Sequence, residues 1–158
     1  YSPTTPWMSR HTRNPYPRHV IWENFEMDGL YRDGFHNIYV NERSNDDEST
    51  RTRYELTING NDIDLNVDIA TYETIETDSR WGIALAFRKT YVPATKGRVT
   101  IYLNDQLVDL AKPVTLTVNG RKVFDGKLKI RLSDMVNSCA AFFDPARVYT
   151  SSIDVEIR

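Results

Sequence analysis

The sequence contains little cysteine and glycine, and this scarcity excludes several kinds of site. Cys139 is the one cysteine among 158 residues, so an intrachain disulfide and a cysteine-cluster metal site are both excluded. None of the seven glycines lies four residues from another with a serine between them, so the Gly-x-Ser-x-Gly turn of α/β-hydrolases is missing. No two glycines lie closer than five residues apart, which excludes a glycine-rich phosphate loop. We therefore expect this chain to contain no catalytic residue and to bind no cofactor.

An excess of charge of one sign and long hydrophobic runs are also lacking. Twenty Lys and Arg residues against 22 Asp and Glu residues give a net charge of −2. Such a balance provides no excess of positive charge that would attract nucleic acid or an anionic membrane. No apolar run approaches the roughly 20 residues that span a bilayer, and no signal-peptide pattern opens the sequence. We expect neither a nucleic-acid partner nor a membrane partner.

The first 17 residues differ in composition from the rest. They contain four of the seven prolines, at positions 3, 6, 15 and 17. Proline-rich polar stretches are typical of domain boundaries. We predict a short helical turn within residues 5–11 and a stiff linker at 12–17. Because the chain begins at Tyr1, we expect a piece of a longer protein, with 1–17 left from a preceding domain and 18–158 forming one β-rich domain.

Apolar residues alternate with polar ones over most of residues 18–158, which predicts strands. Two alternating runs flank Asn59-Gly60, and a loop at 59–62 would set Arg53 opposite Asp68. A loop at 59–60 would instead pair Glu55 with Asp64, and like charges opposite each other are unfavourable. We therefore predict the longer loop, and a second hairpin at Asn119-Gly120.

About eight short strands with regular turn signals predict an all-β fold. We expect an antiparallel two-sheet β-sandwich of the immunoglobulin-like type. One short helix is predicted near 133–140, with Ser133 as its N-cap. Residues 70–96 show no pattern that assigns them a structure.

Acidic residues on the second strand of the first hairpin are the candidate metal ligands. Asp62, Asp64 and Asn66 are spaced as at the start of a calcium loop, and Asp68 continues the series. The sixth position of such a loop requires glycine, but Val67 occupies it. The pattern therefore favours a solvated strand face over a metal site, and we expect no bound metal.

Three aromatic residues are candidates for a ligand or partner surface: Trp22, Trp81 and Tyr102. Tyr102 alternates with Ile101 and Leu103, so we expect it to face solvent or a partner domain. Near Trp22 we expect an apolar patch against which the preceding domain would dock. Exposed aromatic rings could also stack on sugar rings, which gives carbohydrate binding as an alternative.

The order of segments resembles the C-terminal β-rich domain of a bacterial secreted α/β-hydrolase family, of the polyhydroxybutyrate-depolymerase-like and phospholipase/carboxylesterase type, whose members are often described as peptidases. The resemblance lies in residues 11–23, in Asp144-Pro145, and above all in residues 99–127, which include Leu103-Asn104-Asp105 and Val118-Asn119-Gly120. It does not extend over residues 70–96.

This resemblance implies a non-catalytic accessory or structural domain that packs on, or orients, the catalytic domain of the same chain. The family's catalytic serine, aspartate and histidine would lie upstream of Tyr1, so no catalytic residue carries over. An extracytoplasmic location, secreted or periplasmic, is implied in the same way. The alternative function is a carbohydrate-binding module that uses exposed aromatic residues.

Overall fold

The computed structural model describes residues 4–158, and within this range the chain folds mainly into β-strands. The elements in chain order are α1 (Thr4–Ser9), β1 (His19–Asn24), β2 (Gly34–Phe35), β3 (Ile38–Glu42), β4 (Thr50–Asn59), β5 (Asp62–Thr77), β6 (Ala84–Pro93), β7 (Arg98–Leu103), β8 (Val114–Val118), β9 (Arg121–Gly126), α2 (Leu132–Phe142) and β10 (Ser151–Glu156).

The strands form two sheets with one hydrophobic core between them. The first sheet has the order β1-β4-β5-β8-β9, with β6 also paired to β5, and the second has the order β10-β7-β3-β2. Leu56, Leu65 and Leu116 from the first sheet and Ile38 and Ile101 from the second belong to the same buried cluster. The predicted all-β two-sheet sandwich is confirmed. One detail differs, because β5 and β8 run parallel.

The first hairpin has the register that the charge argument predicts. Arg53 lies opposite Asp68, and Ile58 lies opposite Ile63. The pairing continues for one more step, to Asn59 and Asp62, so the connection is the two-residue turn 60–61 instead of a four-residue loop. Gly60 has φ +61, a left-handed conformation that suits glycine in such a tight turn.

Helix α2 begins one residue earlier and ends two residues later than predicted. The expectation that Ser133 caps it was wrong. The N-cap residue is Arg131, which has extended backbone angles and provides no side-chain cap hydrogen bond. The C-cap residue is Phe143, which adopts φ 49 and donates its backbone N–H to the Cys139 carbonyl. Helix α2 lies over the outer face of the second sheet, where Phe142 contacts Tyr102 edge to face.

The N-terminal segment contacts the sandwich from Arg13 onward. Helix α1 begins one residue before the stretch 5–11 for which a helical turn is predicted and otherwise lies within it, and its Trp7 and Met8 are exposed. The Arg13 guanidinium lies 2.5 Å from Asp144. Tyr16 donates its hydroxyl to the Ala146 carbonyl at 3.1 Å. A domain boundary after residue 17 stays a prediction, and residues 1–3 of that segment lie outside the described residues.

Candidate docking surface

Residues 70–96, for which the sequence shows no pattern, form a projecting β-ribbon. Strand β4 pairs with β5 only as far as Thr71, which lies opposite Thr50. Beyond that point β5 has only β6 beside it, with Tyr72 opposite Lys89 as the first pair of the ribbon. We call residues 72–89 the arm. A two-stranded ribbon without a covering layer is only marginally stable in water.

The tip of the arm is held by Asp78. Its carboxylate accepts hydrogen bonds from the backbone N–H groups of Arg80 and Trp81, at 2.9 and 2.7 Å. Its own N–H donates to the Ile83 carbonyl, and its carbonyl accepts from the Gly82 N–H. Gly82 has φ +64, which permits the chain to reverse here. The local sequence Asp-Ser-Arg-Trp-Gly therefore specifies the turn that joins β5 to β6.

The arm presents large apolar side chains to solvent. Ile83, Leu85 and Phe87 are 59%, 57% and 55% exposed. Leu85 and Phe87 alternate along β6 and so share one face, and Ile83 precedes the strand at the same spacing. Ile75 and Trp81 are also more than half exposed. Large exposed apolar patches are typical of protein-interaction sites.

The base of the arm is tied to strand β1 through Glu23. The Tyr72 hydroxyl donates to the Glu23 carboxylate at 2.5 Å, the Lys89 ammonium forms an ion pair with it, and Arg51 lies 3.5 Å away. Partial burial raises the pKa of Glu23, but the hydrogen bonds from Lys89 and Tyr72 and the nearby positive charges lower that pKa overall. Hydrogen bonds of Lys89 with Glu23, Tyr72 and Tyr91 raise the pKa of Lys89. Glu23 thus stays ionised and fixes the direction in which the arm leaves the sheet.

A groove of about 540 Å³ adjoins the base of the arm. Its lining residues are mostly apolar: Trp22, Glu23, Asn24, Phe25, Met27, Leu30, Tyr31, Arg32 and Phe35. The exposed Met27 and Leu30 flank the turn formed by Asp28 and Gly29, which both have positive φ. Arg51 lies over the rings of both Phe25 and Tyr72, at 4.4 and 4.6 Å, and so connects the groove with the arm. Apolar side chains are therefore exposed near Trp22, and the docking of a preceding domain there stays a prediction.

The three candidate aromatic residues lie in three different places. Trp22 is buried against Tyr54 and Phe35, and it reaches the surface only as part of the groove. Trp81 is 68% exposed at the tip of the arm. Tyr102 is only 7% exposed, so the expectation that it faces solvent or a partner was wrong. Helix α2 covers that face of β7, and burial together with nearby carboxylates raises the pKa of Tyr102.

The acidic candidates do not form a metal site. Asp62 and Asp64 are exposed on the outer face of β5, and Asp68 lies opposite Arg53. Asp62 accepts a hydrogen bond from the Thr115 hydroxyl at 2.5 Å. Between residues 4 and 158 there is no group of three His, Cys, Asp or Glu side chains that could hold a metal ion. The arrangement is that of a solvated strand face.

Sequence reasoning missed the arm and most of the groove. The alternation of Ile83, Leu85 and Phe87 was a usable signal for a strand, and the neighbouring Asp78 and Gly82 were usable signals for its turn. The pattern could not show that this strand has no layer packed against it. Exposure of those side chains is a property of the assembled fold.

Three comparisons with known proteins provide no relative for this chain. No protein-family model, no curated protein and no solved structure matched it. Within residues 4–158, no helix is both long enough and apolar enough to cross a membrane.

Proposed function

We propose that this chain is a non-catalytic accessory domain that packs on a partner domain through its arm and the adjoining groove. The observation that carries the proposal is the stripe of Ile83, Leu85 and Phe87, each more than half exposed on a ribbon without a covering layer. Apolar surface of this kind is stabilised when a second surface removes it from water. The role requires binding area and a fixed orientation, and it requires no reacting group.

The proposed partner is the catalytic domain of a serine hydrolase that precedes this domain in the same chain, because the sequence resembles the C-terminal domain of such enzymes. The charges of the arm fit an apolar contact. Its three acidic residues (Glu73, Glu76, Asp78) and three basic residues (Arg80, Arg88, Lys89) give 3 − 3 = 0. Electrostatic attraction therefore contributes little, and the free energy of the contact comes from burial of the stripe and the groove.

The attachment of the N-terminal segment to the sandwich supports this choice of partner. Arg13 and Tyr16 fasten that segment to the sandwich through Asp144 and Ala146. A domain that precedes this segment would be held at high effective concentration, so a contact of modest affinity would suffice. Contacts between domains of one chain typically bury about 600–1,500 Å².

The test uses the polypeptide encoded immediately before Tyr1, expressed as a separate chain. Its affinity for the present chain is measured by calorimetry for the wild type, for Leu85→Glu, and for Val123→Glu as a control on an exposed apolar residue of β9. We expect Leu85→Glu to weaken binding at least about 30-fold, or about 2 kcal/mol, as at a central interface residue. The control should bind like the wild type.

Two results would contradict the proposal. One is the lack of any folded domain encoded before Tyr1, and the other is a complex whose affinity is the same for all three variants. Retention of the chain on polysaccharides that is lost in Trp81→Ala would favour the carbohydrate alternative. That alternative rests on Trp81 at the tip, and the Arg80 guanidinium, 5.0 Å from the ring centroid, already occupies one side of it.

A further inference from the structure

A second cavity, of about 350 Å³, lies between strand β2 and the C-terminal end of helix α2. Its polar lining is basic and comes from three parts of the chain: Arg13 in the N-terminal segment, Arg32 and His36 on either side of β2, and Arg147 after α2. We call this cavity the basic pocket. It adjoins the groove at Arg32 and Phe35 but has a different chemical character.

The basic pocket contains more positive than negative charge. Asp144 is the carboxylate that pairs with its arginines, with one oxygen 2.5 Å from Arg13 and 2.8 Å from Arg147. The hydrogen bonds from Arg13, from the Ala146 N–H and from Arg147 lower the pKa of Asp144 to about 2, so it is ionised. Arg32 forms no ion pair with any residue between 4 and 158. Three guanidinium groups against one carboxylate give a balance of 3 − 1 = +2.

His36 adds a neutral donor to this cavity. Its Nδ1 lies 3.5 Å from Nη1 of Arg147. Because a guanidinium can only donate, this contact favours the tautomer that carries its proton on Nε2. Burial, together with the positive charges of Arg147 and Arg13, lowers the pKa of His36. The residue also has φ 52, a left-handed conformation that is uncommon outside glycine. Backbone strain of this kind concentrates at functional sites.

Another part of the lining of the basic pocket is aromatic and closely packed. Phe35 contacts the His36 ring edge to face at 4.5 Å, and Phe142 packs against Gly34. A Cβ atom at Gly34 would lie 2.9 Å from the Phe142 ring, so glycine is what lets α2 approach β2 this closely. The pocket therefore combines Arg32, which has no ion-pair partner among the described residues, with an apolar wall.

We propose that the basic pocket binds a small organic anion, whose carboxylate or phosphate group lies against Arg32 and Arg147 and whose apolar body packs on Phe35 and Phe142. The planar guanidinium fork matches the oxygens of either group and can bind them with two parallel hydrogen bonds. The volume of the pocket falls in the range of small-molecule sites, about 300–1,000 Å³. This proposal does not rest on the docking function, because His36, Phe142 and Arg147 lie outside the groove, although Arg32 and Phe35 line both cavities.

The test titrates the full chain with three probes, namely benzoate, inorganic phosphate and the uncharged benzamide, and follows backbone amide shifts by NMR. We expect saturable shifts at Gly34 and His36 with the anions and none with benzamide. Arg32→Gln should weaken anion binding at least about ten-fold, which corresponds to about 1.4 kcal/mol. Arg121→Gln, at an exposed arginine of β9, should leave it unchanged.

A second variant separates the aromatic wall from the charge. Gly34→Ala should displace Phe142 and weaken benzoate more than phosphate. Tighter binding of benzoate than of phosphate identifies a carboxylate ligand with an apolar body, and the reverse order identifies a phosphate. Shifts that do not saturate up to about 10 mM of either anion would overturn the proposal. Equal weakening by Arg32→Gln and Arg121→Gln would also overturn it, because it would show attraction to net charge alone.

Discussion

Truncation of two leucines, one in the core and one on the arm, should have very different effects on stability. Leu103 in β7 is fully buried between the two sheets, whereas Leu85 on the arm is 57% exposed. Leu103→Ala should cost about 2–5 kcal/mol, because it removes a buried side chain and leaves a cavity. In the folded wild-type chain, only about two fifths of the Leu85 side chain is buried. At roughly 1.5–3 kcal/mol for a fully buried leucine, its loss should cost about 1 kcal/mol or less.

Urea denaturation of the two variants and the wild type measures this difference. Both substitutions should shift the midpoint at an unchanged slope, since neither alters the surface exposed on unfolding by much. A loss below about 0.5 kcal/mol for Leu103→Ala would place that face of β7 outside the core. Equal losses for the two variants would show that the arm packs as firmly as the sandwich, and the argument that its apolar stripe is available for docking would fail.

Three further predictions concern the contacts that shape the two surfaces. The pKa of Asp144 is lowered in the folded chain, so its contribution to stability is present above its ordinary pKa of 3.8 and is lost as the pH falls to about 2; an acid unfolding curve of Asp144→Asn should lack that part of the decline. Glu23→Gln should speed hydrogen exchange of the arm amides in a mass-spectrometric assay, whereas Glu73→Gln, which breaks an exposed ion pair on the arm, should not. Limited trypsin digestion should cut after Arg10 before it cuts after Arg13, because Arg13 is paired with Asp144, and equal rates would show that this pair does not hold the segment in solution.

The sandwich could be predicted because its strands are amphipathic and because the charges on the first hairpin favour one register over the other. Alternating Tyr54, Leu56 and Ile58 indicated which face is buried, and the choice between two registers followed from placing Arg53 near Asp68 instead of Glu55 near Asp64. Both inferences use only neighbours within one hairpin. Contacts between residues that are close in the sequence can therefore be predicted from a single sequence.

The arm, the groove and the environment of Tyr102 could not be predicted because each depends on which layers meet. Tyr102 alternates like a solvent-facing residue, but α2 lies over it. Leu85 alternates like a core residue, but no second sheet reaches it. The basic pocket joins Arg13, Arg32 and Arg147, and no spacing in the sequence indicates that these positions meet.

The most direct test of the docking role compares hydrogen exchange of the arm in this chain alone and in the intact protein that, on this proposal, also contains the preceding domain. An unpartnered two-stranded ribbon opens easily, so the amides of residues 84–89 should exchange much faster than those of β7 in the isolated chain. In the intact protein, burial of Ile83, Leu85 and Phe87 against the partner domain should slow the same amides at least about ten-fold. Equal exchange rates for the arm in both proteins would contradict the account.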